Sequence, residues 1–276
     1  MAALWGASWI CGRLISAEGI SAVYGALGRF GFGSLGLLVC MWWQRPWPGV
    51  TAAQALRLVL MGFFGVFLYN ICFFIGLQTV PAGRASLIAS MQPMFVFLFA
   101  AVVWKEAITG LKVVGLAVSL AGAVLVLAQG TPARLFTDGV NTGDLWILGC
   151  AASWVTYTLL GRTVMGQVPA VAATAYSTWI GTAMLVLFAA TQPLSAPWSG
   201  KVWLSAAFLG LGGTTLAFLL YLRGIRHIGP SRASIFINFV PVFGMALSSL
   251  FLGERISGYT LAGGILVIAG VRMLNR

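Results

Sequence analysis

Acidic side chains are scarce in this chain: its 276 residues hold five, Glu18, Glu106, Asp138, Asp144 and Glu254, against sixteen Lys and Arg. None of the five pairs with another inside an apolar run, and the one histidine, His227, sits among basic residues with no HExxH around it. General acid–base and metal chemistry therefore have almost no parts, no cofactor is expected, and an enzyme is the class these absences disfavour most. The four cysteines, Cys11, Cys40, Cys72 and Cys150, lie in apolar stretches without a CxxC spacing. They read as buried, reduced packing residues rather than a disulfide or zinc framework. Charge of either sign is also thin, at 8% of residues, where a soluble domain carries roughly 25%.

What fills the chain instead is apolar: 60% of residues are hydrophobic and 13% aromatic. Apolar runs between breakers fall near 2–17, 20–43, 55–77, 82–103, 109–128, 143–162, 170–191, 201–222, 231–252 and 258–274. Each is about the length a bilayer-spanning helix needs. These runs predict an all-α integral membrane protein of ten transmembrane helices with the lipid bilayer as its solvent. The segment from Ala2 to Ile15 is short enough to suggest a signal peptide. It lacks a basic leader and recurs later in the chain, so the first span is the better reading. In a soluble chain a net charge of +11 would point to nucleic acid. In a membrane protein the same excess marks cytoplasmic loops, so nucleic acid is not an expected partner.

The chain repeats itself. A shift of 148 residues carries Gly76 onto Gly224, Arg84-Ala85-Ser86 onto Arg232-Ala233-Ser234, Pro93 onto Pro241, Glu106 onto Glu254, Gly115 onto Gly263 and Gly122 onto Gly270. At a slightly smaller shift Ala7-Ser8-Trp9 falls on Ala152-Ser153-Trp154. The organisation predicted is a five-helix repeat over 1–128, a polar linker over 129–142 and a second repeat over 143–276. Five spans per repeat is an odd number, so the second half enters the membrane from the opposite side and the repeats are inverted. Inverted repeats are the architecture of secondary transporters.

Basic residues set the orientation. Arg45, Arg57, Lys105, Lys112, Arg162, Arg223, Arg226, Arg232, Arg272 and Arg276 lie on one side of this topology, against Arg84, Arg134, Lys201 and Arg255 on the other. Both termini are expected in the cytoplasm.

Several of these pieces resemble a known family. Leu4-Trp5-Gly6-Ala7-Ser8-Trp9, Leu27-Gly28-Arg29-Phe30, and the pattern from Gly62 through Ala85-Ser86-Leu87-Ile88, Gln92-Pro93 and Glu106 to Gly122 are similar to the drug/metabolite transporter superfamily, in its EamA-type branch of ten-span carriers. Within it the chain resembles YddG-type exporters of aromatic amino acids and related metabolites. The resemblance implies export across a bacterial inner (cytoplasmic) membrane by alternating access, as a monomer or a homodimer. The smaller four-span drug exporters of the superfamily carry a carboxylate in the first span. Trp5 to Ile15 holds none, which puts carboxylate-based proton antiport in doubt.

Candidate site residues come from position and spacing. Most Trp in membrane proteins mark the interface, but Trp9 and Trp154 lie near mid-span at corresponding places in the two repeats. Tyr157 follows Trp154 by three residues and Tyr69 precedes Phe73 by four, so each pair shares a helix face. Such faces form either an aromatic cage for an apolar side chain and an ammonium, or an ordinary packing stripe. The fourth and ninth spans carry Ser86, Ser90 and Pro93 matched by Ser234, Asn238 and Pro241. Each proline frees a carbonyl, at Ala89 and Ile237, that must be satisfied by protein or by a wet cavity. The serines serve either the cavity or close helix packing. Arg29 stands deep in the second span among glycines, and is read as a gating or bracing residue or as a partner of a substrate carboxylate. Arg13 is nearer its span end and snorkels. Glu106 and Glu254 stand at equivalent loop ends, where they pair with basic neighbours or tie a helix end.

The functional expectation is export of small zwitterionic metabolites, amino acids with aromatic and other apolar side chains foremost, by facilitated transport. Export of drug-like cations is the second reading, which the lack of an intramembrane acid weakens. A polytopic membrane enzyme is the third.

Overall fold

The computed structural model describes residues 1–43, 45–92, 95, 109–127, 141–164, 167–193, 197–228 and 236–274. Among them the regular structure is helical and includes no strand. We number the helices α1 (Ala2–Ala17), α2 (Ala22–Trp42), α3 (Ala52–Gly62, continued by Phe63–Leu68 and Tyr69–Thr79), α4 (Ala82–Ala89), α5 (Gly110–Leu127) and α6 (Thr142–Val164). The remainder are α7 (Ala170–Ala189), α8 (Gly200–Ala207, continued by Phe208–Leu216 and Ala217–Ile228), α9 (Val240–Leu252) and α10 (Gly258–Leu274). Ala22–Trp42, Ala52–Thr79, Ala170–Ala189 and Gly200–Tyr221 are long and apolar enough to cross a membrane. Gly110–Val126, Val240–Leu252 and Gly258–Met273 are shorter apolar helices. The outward surface is apolar too: Leu187, Leu204 and Leu250 are 72%, 72% and 76% exposed, which suits lipid rather than water.

Helix boundaries follow local chemistry. α3 opens on a reciprocal capping box between Thr51 and Gln54. α9 closes on Gly253 in the left-handed conformation, with φ of 65°, a backbone state glycine adopts without a Cβ penalty. That turn delivers Glu254, whose carboxylate accepts the backbone N–H groups of Ala82 at 3.0 Å and Gly83 at 3.2 Å. Glu254 thus ties a helix end, the start of α4, where orphan donors and the helix dipole favour an anion. Beside it Arg84 donates through Nε and Nη2 to the two carboxylate oxygens of Asp144, at 3.1 and 2.5 Å, joining α4 to α6. Arg13, expected to snorkel, donates to the carbonyls of Leu77 and Gln78 and so caps the C-terminal end of α3.

Two helices leave the α-helical ladder midway. Over Phe63–Leu68 in α3 and Phe208–Leu216 in α8 the bonding widens to the π-helical pattern. The two segments overlap under the 148-residue shift, and the packing around them is reciprocal. A methyl group on Gly62 would stand 2.8 Å from the carbonyl oxygen of Ser177 and 2.9 Å from the nitrogen of Gly181. One on Gly210 would strike the carbonyl of Arg29 and the nitrogen of Gly33, which are the residues corresponding to Ser177 and Gly181. Ser34 and Thr182, themselves correspondents, share a hydrogen bond of 3.2 Å between their hydroxyls. The same reciprocity joins α1–α9 to α6–α4 and α2–α8 to α7–α3. Two like units meeting through the same surface give this pattern.

Among the described residues α5 and α10 make the broadest helix pair, backbone against backbone. A methyl on Gly122 would lie 2.6 Å from the carbonyl oxygen of Gly263, and Gly270 stands equally close to Gly115 and Ser119. Small residues at such seams let helices approach where lipid offers no hydrophobic drive. Gly122→Ala is accordingly expected to destabilise the detergent-solubilised protein by about 1–3 kcal/mol, the usual range for overpacking. Gly31→Ala, whose added methyl meets nothing within 4 Å, should be neutral or raise the melting temperature, as removal of a mid-helix glycine does. Thermal unfolding of the two variants side by side checks the seam; equal melting temperatures would refute it.

Candidate functional site

α1, α3, α4, α6, α9 and α10 surround a cavity of about 140 Å³. One wall is a row of rings contributed by three helices. Trp9 of α1 meets Phe73 at 4.9 Å between centroids, Phe73 stacks on Tyr69 at 6.1 Å, Tyr69 meets Trp154 of α6 at 5.6 Å, and Trp154 meets Tyr157 at 5.2 Å. All four separations lie in the range where aromatic pairs attract. The helical spacing accounts for the row: residues three or four apart share a face, so Tyr69 with Phe73 and Trp154 with Tyr157 each present two rings in line. Trp9 and Phe73 are 5% and 1% exposed, so they form the floor. Tyr69 and Trp154 are half-buried and face the open space.

Arg29 enters from α2 between this cavity and a smaller one of about 50 Å³, and lines both. Its Nε donates to Thr214 Oγ1 at 3.3 Å and its Nη1 to Asn70 Oδ1 at 3.1 Å. Asn70 is fully buried and its Nδ2 donates to the carbonyl of Val66 at 2.7 Å, which turns its oxygen toward the guanidinium. The rings of Phe30 and Phe73 stand 5.3 and 5.6 Å from the guanidinium carbon, within cation–π range. Among the described residues neither cavity is lined by Asp or Glu, and no group of three His, Cys, Asp or Glu is placed to hold a metal.

The structure brings Trp9, Tyr69, Phe73, Ser90, Trp154 and Pro241 together in the wall of the larger cavity. Tyr157 lines the smaller one. Pro93 and the side chain of Asn238 lie outside the described residues. The segment that carries Pro241 differs from a simple kink. α4 ends at Ala89, with Ser90 N–H bonded to both Ser86 and Leu87 carbonyls. The chain reaches α9 through a short 3-10 turn, Phe236–Phe239, and Pro241 stands in the first turn of the helix that follows. Pro241 thus starts a helix, where its missing N–H goes unneeded. Ala89 and Ile237, the residues whose carbonyls the prolines were expected to free, both line the cavity.

Sequence reasoning missed several wall residues. Trp5 lines both cavities and donates through Nε1 to the carbonyl of Gly213 at 2.9 Å. Its signal was present, since it precedes Trp9 by one helical turn. Asn70 is signalled only by being an amide in an apolar run. Val267, Ile268 and Val271 of α10 close the far side and carry no signal that distinguishes them from lipid-facing residues.

Comparison with known proteins shows what this architecture is. The model of the EamA-like transporter family matches residues 1–128 and 141–276. YdfC of Bacillus subtilis, an uncharacterized transporter, is 30% identical over 275 residues, covering 98% of this chain and 87% of that protein. YyaM of the same organism, also an uncharacterized transporter, is 29% identical over 253 residues, covering 89% and 82%. A protein of Streptantibioticus cattleyicolor named as a probable terminal-alkyne amino-acid exporter is 27% identical over 227 residues, covering 79% and 72%. A crystal structure at 21% identity superposes with a TM-score of 0.65 over 99% of this chain and 94% of its own, and shares the fold. These relatives are transporters rather than enzymes, and a family model that spans nearly the whole length decides the matter: the chain belongs to the EamA-like transporter family.

Proposed function

We propose that this transporter exports amino acids with aromatic and other apolar side chains from the bacterial cytoplasm. The observation that carries the reading is the row of rings from Trp9 through Phe73, Tyr69 and Trp154 along the wall of a cavity between helices of both halves of the chain. Flat apolar surfaces bind an apolar or aromatic side chain by burial and stacking. Ser90, in the same wall, adds a polar contact in this reading, and Asn238, whose side chain lies outside the described residues, is proposed as a second from its match to Ser90 in the sequence. The guanidinium in the wall, with no carboxylate beside it among the described residues, works against the alternative of cationic drugs.

In this reading ten spans form two inverted five-helix repeats, 1–128 and 143–276, which exchange conformations to expose the cavity to either side in turn. The reciprocal packing under the 148-residue shift supports it. Both termini lie in the cytoplasm, following the bias of Lys and Arg. Transport is facilitated and runs down the substrate's own gradient, because proton coupling at membrane depth usually relies on Asp, Glu or His.

Purified protein in liposomes loaded with labelled phenylalanine should release it without any ion gradient and should not concentrate it. Uphill accumulation driven by an imposed pH gradient would refute facilitated transport. Trp154→Ala should lower the efflux rate about tenfold or more with a small change in melting temperature, because a half-buried cavity wall carries little packing. Trp9→Ala should instead destabilise the protein by about 3–5 kcal/mol, as truncation of a buried aromatic does, so Trp9→Phe is the variant to assay for transport. For topology, single cysteines replacing Gly49 and Gly200 in a cysteine-free background should react differently with an impermeant reagent added to cells: Gly200→Cys is labelled and Gly49→Cys is not.

A further inference from the structure

The guanidinium of Arg29 is only partly answered by the protein. Two of its five N–H groups are engaged, one on Nε by Thr214 and one on Nη1 by Asn70. Both partners are neutral. The second Nη1 proton and both Nη2 protons have no protein acceptor among the described residues. They form a fork of the kind that takes a carboxylate by two parallel hydrogen bonds. A cation at this depth, facing a cavity without a described acid, wants an anion from elsewhere.

The alternative role for Arg29 is a brace for helix packing, and comparison of the halves argues against it. Where α2 meets α8, Gly210 approaches Arg29 and Gly33; where α7 meets α3, Gly62 approaches Ser177 and Gly181. The packing is the same twice over, yet the residues corresponding to Arg29 and Asn70 are Ser177 and Phe218. A brace demanded by that packing would be demanded in both places. The arginine and the amide that aims it occur once, so the packing common to the two halves does not call for them.

We propose that Arg29, oriented by Asn70 and Thr214, is the carboxylate-recognising residue of the cavity, so that the substrates are carboxylates with an apolar or aromatic body and the amino group is dispensable. The inference rests on the cavity being the transport site. It goes further than amino-acid export, because it requires the acid group and admits molecules without an amine.

Four ligands that share a phenyl body separate the two claims: L-phenylalanine, 3-phenylpropionate, phenylalaninamide and phenethylamine, each measured for equilibrium binding to the protein in nanodiscs. Both carboxylates should bind, and the amide and the amine should bind roughly tenfold to a hundredfold more weakly, the usual effect of losing a charge-assisted hydrogen bond. Arg29→Lys, which keeps the charge and loses the fork, should weaken both carboxylates about tenfold while leaving the amine unchanged and the melting temperature close to that of the parent. Should that variant fail to fold, the four-ligand comparison on the unaltered protein still decides. Amide and amine binding as tightly as the acids would overturn the role of Arg29 while leaving amino-acid export standing. Binding of 3-phenylpropionate without phenylalanine would do the reverse. Failure of all four to bind would remove both.

Discussion

Inside hydrocarbon no water is at hand for a freed backbone group, so every departure from the α-helical ladder has to be met by a donor or acceptor of the protein itself. The widened segments of α3 and α8 are such departures, and the way their carbonyls are met determines where the neighbouring helices stand. Trp5 of α1 donates to Gly213 in α8, and Ser153 of α6 donates to Phe64 in α3 at 2.7 Å. The hydroxyls of Thr214 and Thr215 turn back onto the carbonyls of Leu209 and Gly210. α1 is thereby fixed against the second half and α6 against the first. One turn beyond Trp5 lies Trp9, and one residue beyond Ser153 lies Trp154, so the bonds that satisfy the backbone also aim the two tryptophans at the cavity.

The parts of this arrangement that were legible in the sequence are those that leave a periodic mark. Glycines recurring at a fixed shift marked the repeat, and the structure packs Gly115 on Gly270 and Gly122 on Gly263 across α5 and α10, a seam the shift did not announce. Aromatic residues three and four apart marked a shared face, and the rings of Tyr69, Phe73, Trp154 and Tyr157 stand in line. The illegible parts depend on one residue meeting a distant backbone atom. Nothing in Phe63–Leu68 distinguishes a π-helical turn from an α-helical one. Nothing near Arg13 names the end of α3 as its partner. Trp198 has the position of an interfacial belt residue, yet it lies half-buried over α2, where a methyl on Gly28 would stand 2.5 Å from its ring. In each case the partner is far along the chain, and spacing within one helix carries no information about it.

The ties between the halves are of two physical kinds, sorted by depth. At mid-membrane they are mostly van der Waals contacts through glycine, as at Gly62 with α7 and Gly210 with α2. Toward the end where α3 gives way to α4 they are ionic and hydrogen-bonded, as in Arg84 with Asp144 and in Glu254 with the start of α4. The alternating access proposed above would require some of these to separate. The bonds of the Glu254 carboxylate to Ala82 and Gly83 can be exchanged for water at a cost of about 1.5–3 kcal/mol each, the range for hydrogen bonds to a charged group, whereas Asp144 is 1% exposed and its bidentate pair with Arg84 costs more to break. The same groups at mid-membrane would be stranded without a partner, at a cost of several kcal/mol each. Glycine seams avoid that difficulty, because two apolar backbones can slide or part without leaving a donor or acceptor unmet. Polar bonds lie at depth too, from Trp5 to α8, from Ser153 to α3, from Arg29 to both, and between Ser34 and Thr182, and each resists separation of the helices it joins. Trp5 joins α1 to α8 and Ser153 joins α6 to α3, whereas Arg29 bonds to both α3 and α8, so the proposed exchange between the halves has to part Arg29 from one of its two partners.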